Sequence, residues 1–398
     1  MPLRLEKSCF KALCRWERFV LAVWIVILIG ICIRVAIWPT VHTVYPTYAQ
    51  AARNWIAGEE LYGKAGNYRY SPLVAISLIP FSLLPDRLGG ILWRLLNAGV
   101  YLAALAWASK VVLPTPPTRT HLALVFLLVM PLSINSLNNG QSNPLVIGLL
   151  LAATAGVSTK RWNLASLCAT LAALLKIYPI AIGLLLVSVY PRRLGTRFVL
   201  ALLAGIIIPF FLQEAHYVLG QYASWLEHLS ADSRENWPLE AGYRDLRLLL
   251  RAWLLTPNPT IYLAIQLLAG IGAAIFCLFG SVKGWPERRL LTSLLTLGCG
   301  WMTLLGPATE SSTYILVAPS LAWSLLDGWL RPHPTWILSG FLCSYGLFLA
   351  ASLAGWFPGV ARIHALGLHP FGALMLMIFF LITEIRHSSR DNAGSQQT

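Results

Sequence analysis

From Phe19 to Ile33 no residue is charged or carries an amide, and runs of similar character recur along most of the chain. Such runs leave the backbone few options. A bilayer core about 30 Å thick is crossed by roughly 20 apolar residues in a helix. No water is available there to satisfy the peptide groups, so only helices and closed barrels can span it. Strict alternation of apolar and polar residues is absent from the long runs, which sets the barrel aside. The expected fold is an all-α, polytopic bundle with about twelve membrane segments, at 18–38, 89–112, 120–137, 144–158, 163–176, 178–190, 198–213, 260–281, 290–306, 312–330, 336–356 and 367–386. These form one transmembrane domain over 18–386, between short tails at 1–17 and 387–398.

Composition supports the same class. Hydrophobic residues make up 57% of the chain and charged residues 12%, against about 25% charged in a soluble domain. The formal net charge is +14, which in a polar protein would suggest nucleic acid. The mean hydropathy of +0.65 argues against that partner, because a nucleic-acid binder displays its charge on a polar surface. The positive-inside rule explains the charge instead. With the basic N-terminal tail cytoplasmic, as an uncleaved signal anchor, the threading puts Lys110, Arg119, Lys160, Arg161, Arg192, Arg193, Arg197, Lys283, Arg288, Arg289, Arg331, Arg386 and Arg390 on that same side. The cytoplasmic side then carries +12 and the outer side +2. The run from Pro72 to Pro85 is too short and proline-rich to cross, and reads as re-entrant or interfacial. The seven cysteines form no CxxC pair or disulfide framework.

The outer side collects the unusual chemistry, in long loops at 39–88 and 214–259 and in three short turns. Helical spacing over Thr47 to Ala57 puts Tyr48, Ala51, Ala52 and Trp55 on one face, with Gly58 placed as a left-handed cap. Tyr68-Arg69-Tyr70 offers aromatic and cationic groups to a sugar or phosphate. The turn Asn138 to Asn143 supplies amides that either hydrogen-bond sugar hydroxyls or cap the flanking helices. Lys176 stands at the edge of an apolar helix, where a phosphate or simple snorkelling would account for an ammonium. Arg244, Arg247 and Arg251 fall at i, i+3 and i+7, one face of a helix suited to a lipid phosphate. Glu310 is the one acid between Glu287 and Asp327. Desolvation there would raise its pKa and suit a general base, whereas Thr309 and Ser312 beside it equally suit a helix start. No metal-ligand spacing occurs in the outer loops, so no metal is expected.

Taken in order, Val44-Tyr45, Gly58-Glu59-Glu60-Leu61-Tyr62, Tyr70-Ser71-Pro72-Leu73, Leu92-Trp93-Arg94-Leu95-Leu96-Asn97, Asn139-Gly140-Gln141-Ser142-Asn143, Leu175-Lys176-Ile177-Tyr178-Pro179 and Gly306-Pro307 leading to Tyr314 resemble the polytopic GT-C glycosyltransferases, and within them glycosyltransferase family 87. The resemblance implies transfer of a hexose, as mannose, from a polyprenyl-phosphate donor to a lipid or glycan acceptor on the outer leaflet, with inversion and without a cofactor. It implies substrate contacts at Tyr45, Glu59, Glu60, Tyr62, Tyr70, Asn139, Gln141, Asn143, Lys176 and Tyr178, to which the residues themselves add Arg69 and the arginine row Arg244, Arg247 and Arg251. Family members commonly carry an Asp just before the Val-Tyr pair and a His near position 310; here Val41-His42-Thr43 and Glu310-Ser311-Ser312-Thr313 stand in those places. Glu310, or else His42, is the expected base. A transporter or flippase of a lipid-linked sugar, or a catalytically silent relative, would use similar contacts. The transporter is disfavoured because no internal repeat is found and the polar groups gather on one face.

Overall fold

The computed structural model describes residues 14–63, 68–231, 234, 237–331, 333–354 and 365–395, without the side chains of 354 and 388–395. Most of the basic N-terminal tail, Asp232, Glu235 and most of the segment 357–367 lie outside the described residues. Among those described the fold is all-helical. In chain order the helices are α1 (Arg15–Ile37), α2 (Tyr45–Ala57), α3 (Pro72–Ser77), α4 (Ile79–Ser82), α5 (Asp86–Val112), α6 (Arg119–Asn139), α7 (Asn143–Ser158), α8 (Trp162–Leu175), α9 (Ile180–Val189), α10 (Pro191–Ile207), α11 (Ala215–Ala231), α12 (Leu246–Trp253), α13 (Pro259–Val282), α14 (Glu287–Leu304), α15 (Ala318–Leu330), α16 (Thr335–Ala354) and α17 (Leu368–Ser395). Two 3₁₀ turns, Ile208–Phe211 and Ser311–Val317, extend α10 and precede α15.

Seven of the described helices are long and apolar enough to cross a membrane: α1, α5, α6, α10 with its 3₁₀ turn, α13, α16 and α17. The remaining expected segments are helical but fall short of that length or apolarity. α7 has 16 residues, α8 has 14 and α9 has 10, which at 1.5 Å per residue gives about 24, 21 and 15 Å. α7 packs against α5, α8 and α14 and buries twelve of its residues. Its apolarity fills the interior of the bundle. α13, by contrast, buries only Tyr262, Cys277 and Gly280 and leaves Leu267, Leu268, Ile271 and Ile275 exposed, as a lipid-facing helix must. A run of apolar residues alone does not distinguish the two roles.

Several boundaries shift with physical cause. α10 starts at Pro191, where the missing N–H costs nothing in the first turn, so Arg192, Arg193 and Arg197 lie on the helix and not in the loop before it. Glu287, Arg288 and Arg289 likewise belong to α14. α17 continues past the expected end at 386. The run Pro72–Pro85 is two short helices of 6 and 4 residues, packed on α2 and α5, together about 15 Å long and too short to cross.

The bundle has two chemically different ends. At one, Lys160 pairs with Glu287 at 2.6 Å, Arg288 donates to the Leu113 carbonyl at 3.1 Å, and Arg331 donates to Thr115 at 2.9 Å, so the basic connections do share an end. At the other meet the turns α6–α7 and α8–α9, the segment after α14, and the two long loops.

Candidate active site

The α6–α7 turn begins the site. Gly140 adopts the left-handed conformation, with φ 71°, and a Cβ there would stand 2.7 Å from Arg94. α6 therefore ends at Asn139, and the chain folds back to present Gln141 and Asn143 inward. Ser142, at the N-cap of α7, makes no side-chain capping bond, so the amides are not spent on the helix start. Asn143 is fully buried. Its Nδ2 donates to Gln141 Oε1 at 2.6 Å and to the Ser312 carbonyl at 3.1 Å, while its Oδ1 accepts from Lys176 Nζ at 2.6 Å and from the Tyr178 hydroxyl at 3.4 Å. Gln141 Nε2 in turn donates to Glu310 Oε2 at 2.8 Å. One chain of hydrogen bonds thus runs from an ammonium through two amides to a carboxylate.

Lys176 leaves α8 in extended conformation at its C-cap, and its Nζ lies 5.8 and 5.5 Å from the ring centres of Tyr70 and Tyr178. It is held by this site and does not snorkel to headgroups. The Tyr48 hydroxyl donates to that of Tyr70 at 2.6 Å, and Tyr62 donates to the Tyr70 carbonyl at 2.6 Å, which places the expected face of α2 beneath the cluster. Ala308, at φ 54°, strains the turn that aims Glu310.

Glu310 also faces a second cation. Arg234 Nη2 lies 3.7 Å from Glu310 Oε1, and the guanidinium is flanked by Tyr243 at 4.5 Å and Trp237 at 4.9 Å. Arg234 Nε is buried without a hydrogen-bond partner. Arg69 Nη1 donates to the Tyr243 hydroxyl at 2.7 Å, and Arg244 N to the Thr309 carbonyl at 2.6 Å, so both long loops close over the same point. Two cavities open nearby, one containing Arg234 and the other Ser311, the residue after Glu310. One of about 310 Å³ is lined by Arg234, Tyr243, Arg247, Arg251 and Pro307; the other, of about 530 Å³, by Arg34, His42, Asn138, Ser311, Tyr314 and His369.

A sequence model of glycosyltransferase family 87 matches residues 68–307, more than half of the 398 residues. The chain belongs to glycosyltransferase family 87. It is similar to GPI mannosyltransferase 1 of Dictyostelium discoideum, with 30% identity over 141 residues that cover 34% of this chain and 30% of that protein. The chain therefore spans less than a third of that relative's length. It also aligns with the crystal structure of ArnT from Cupriavidus metallidurans bound to undecaprenyl phosphate, at a TM-score of 0.43 and 14% identity, over 89% of this chain and 77% of the other.

For this family 87 member the expected site residues divide. Tyr70, Gln141, Asn143, Lys176, Tyr178 and Glu310 converge. Asn139 lines the larger cavity, and its backbone carbonyl accepts from Val44 N at 3.0 Å. Tyr45 is buried and donates to the Phe81 carbonyl at 3.0 Å; it supports α4 and offers nothing to a ligand. Glu59 and Glu60 are exposed, and it is their backbone that is engaged: the Glu59 carbonyl accepts from the Tyr217 hydroxyl, the Glu59 N–H donates to the Asn54 carbonyl, and the Glu60 carbonyl accepts from Asn54 Nδ2. His42 is exposed at the rim of the larger cavity. The arginine row does not form, because α12 starts after Asp245, its N-cap. Arg244 precedes the helix and donates to the Leu239 and Glu240 carbonyls, leaving Arg247 and Arg251 in the smaller cavity. Nor is Glu310 desolvated, since its side chain remains 42% exposed. Arg234 escaped the sequence reading; it lies among the acids Asp232 and Glu235 in a loop without periodicity, and its one signal was a cation beside Trp237 and Tyr243.

Proposed function

We propose that the protein transfers a hexosyl group, mannose by family likeness, from a polyprenyl-phosphate donor to a hydroxyl of a lipid or glycan acceptor on the outer leaflet, with inversion at the anomeric carbon. What carries this reading is the place of Glu310, a carboxylate linked through Gln141 and Asn143 to Lys176 on one side and facing the Arg234 guanidinium on the other. Oε2 is occupied by Gln141, whereas Oε1 stands 3.7 Å from Arg234, too far for a hydrogen bond and free to accept a proton. The smaller cavity, with Arg234, Arg247 and Arg251, suits the donor phosphate. The orphaned Nε of Arg234 finds an acceptor there, and guanidiniums match phosphate oxygens in pairs. The larger cavity, with Asn138, Ser311 and Tyr314, suits a polyhydroxylated acceptor.

In this mechanism Glu310 takes the proton of the acceptor hydroxyl as its oxygen bonds to the anomeric carbon, and the bond from that carbon to the phosphate oxygen breaks. The phosphate leaves with the electron pair and is stabilised by Arg234. Lys176 and Asn143 hold Gln141, and through it the carboxylate, in position. Glu310→Gln keeps the shape and removes the base. Purified protein supplied with polyprenyl-phosphate mannose and an acceptor extract should lose about 100-fold or more in kcat, with donor KM little changed; His42→Ala serves as the comparison. Undiminished turnover in Glu310→Gln removes Glu310 as base, and a loss confined to His42→Ala transfers the role.

A further inference from the structure

The basic end of the bundle, remote from Glu310, holds a third cavity of about 580 Å³ between α14, α15, α16 and α17. Three of its side chains come from separate elements: Asp327 from the last turn of α15, His333 from the connection to α16, and His387 from α17. One ligand atom from each lies within 4.8 Å of the other two. His333 Nε2 stands 3.3 Å from Asp327 Oδ2, and the two imidazoles meet edge to face with centres 5.5 Å apart. We propose that Asp327, His333 and His387 bind a divalent transition-metal ion of the zinc class, leaving a fourth position open to solvent.

The distances favour this reading. Zinc bonds of 2.0–2.1 Å at tetrahedral angles put neighbouring ligand atoms about 3.3 Å apart, the spacing already present between His333 and Asp327. The widest gap in the trio has at most about 1.5 Å to close, within reach of imidazole rotation. The carboxylate is also divided between two tasks. Arg331 Nε takes Oδ1 at 2.9 Å, fixing the group from behind and leaving Oδ2 for the ion, the outer-shell arrangement usual for metal carboxylates. Nearby cations are occupied elsewhere: Arg289 pairs with Glu384 at 2.7 Å, and Arg288 reaches the Leu113 carbonyl. Two imidazoles and one carboxylate select zinc, cobalt or nickel over magnesium or calcium, which prefer all-oxygen shells. A simple His–Asp hydrogen bond explains one imidazole but not the second against it. Spacing along the chain could not reveal the trio, because His387 comes from a helix 54 positions after His333.

An ion here ties the α15–α16 connection to α17, independently of sugar transfer. The test uses tag-free protein in detergent, stripped with chelator and titrated with Zn²⁺, and with Co²⁺ as a visible probe. The expected result is one equivalent bound, cobalt absorption of a four-coordinate site, and a rise of several degrees in Tm. His333→Gln/His387→Gln should lose all three while keeping the metal-free Tm. Should that variant fail to fold, Zn²⁺ on the wild type should shield His333 and His387, but not His216, from diethyl pyrocarbonate as read by mass spectrometry. No stoichiometric uptake by the wild type, undiminished uptake by the double variant, or no shielding overturns the proposal.

Discussion

Arg94 is 2% exposed, and its hydrogen bonds go to neutral acceptors. Nη1 donates to the Gly90 carbonyl, Nε and Nη2 to the Asn138 carbonyl, and Nη2 also to Thr43 Oγ1 at 2.6 Å. Asn138 belongs to the last turn of α6, where carbonyl dipoles carry partial negative charge. These acceptors explain how the chain holds Thr43 just before Val44-Tyr45, where family resemblance leads one to expect an Asp. Thr43→Val removes the hydroxyl and leaves a buried charged donor short of a partner. It should cost about 1–3 kcal/mol, seen as a lower Tm in detergent, whereas Thr43→Ser should melt like the wild type. At this scale Lys176 and Glu310 were legible because an ion beside apolar helices needs a partner. Their partners were not legible: the Asn143–Gln141 link depends on the left-handed turn at Gly140, and the Arg234 contact on two loops meeting across 76 positions.

Among the elements, α12 shows how one residue resets a periodic pattern. The arginine spacing is helical, but Asp245 accepts from Leu248 N at 3.1 Å and caps a helix that starts at Leu246, two residues too late for Arg244. An Asp before a leucine-rich run is itself a start signal, so this boundary could have been read from sequence. Asp245 then carries a measurable consequence. Burial pushes its pKa up to about 6, only partly offset by backbone N–H donors, that of Leu248 first among them, and by the charge of Arg251. A carboxyl whose folded pKa lies above the unfolded 3.8 binds its proton more tightly when folded, so stability is gained as pH falls from above 6 towards 4 and is lost on the way back up. Asp245→Asn keeps the capping oxygen without the charge. Melting curves between pH 7.5 and 5 should show a smaller relative gain on acidification for Asp245→Asn than for the wild type; parallel curves would remove Asp245 as the source.

For the whole molecule, apolar runs located the long helices of the bundle but not α11, which lies in what reads as a loop, nor which helices face lipid. α7 and α13 look alike as sequence, and only packing separates a core filler from a surface span. The sidedness of the proposed reaction adds a test: Asp86, paired with Arg53 at 3.0 Å beside α4, should as Asp86→Cys in a cysteine-free background react with an impermeant maleimide from the outside of intact cells, and labelling from the cytoplasm alone would reverse the threading. The opposite end is tied by Arg289 and Glu384, both buried and 2.7 Å apart, joining α14 to α17. Breaking such a pair from one side leaves an uncompensated buried charge and costs about 3–5 kcal/mol, while replacing both partners by apolar residues can restore much of the loss. Glu384→Ala should therefore lower Tm sharply, and Arg289→Met/Glu384→Leu should recover most of it. The stretch of α14 from Arg289 to Leu304 separates this pair from the segment before Glu310 by about 23 Å, and no hydrogen-bonded chain like that from Lys176 to Glu310 joins the two ends among the described residues. Turnover per folded molecule should then stay at the wild-type value in the double variant; a fall in kcat with Tm restored would mean that the two ends move as one.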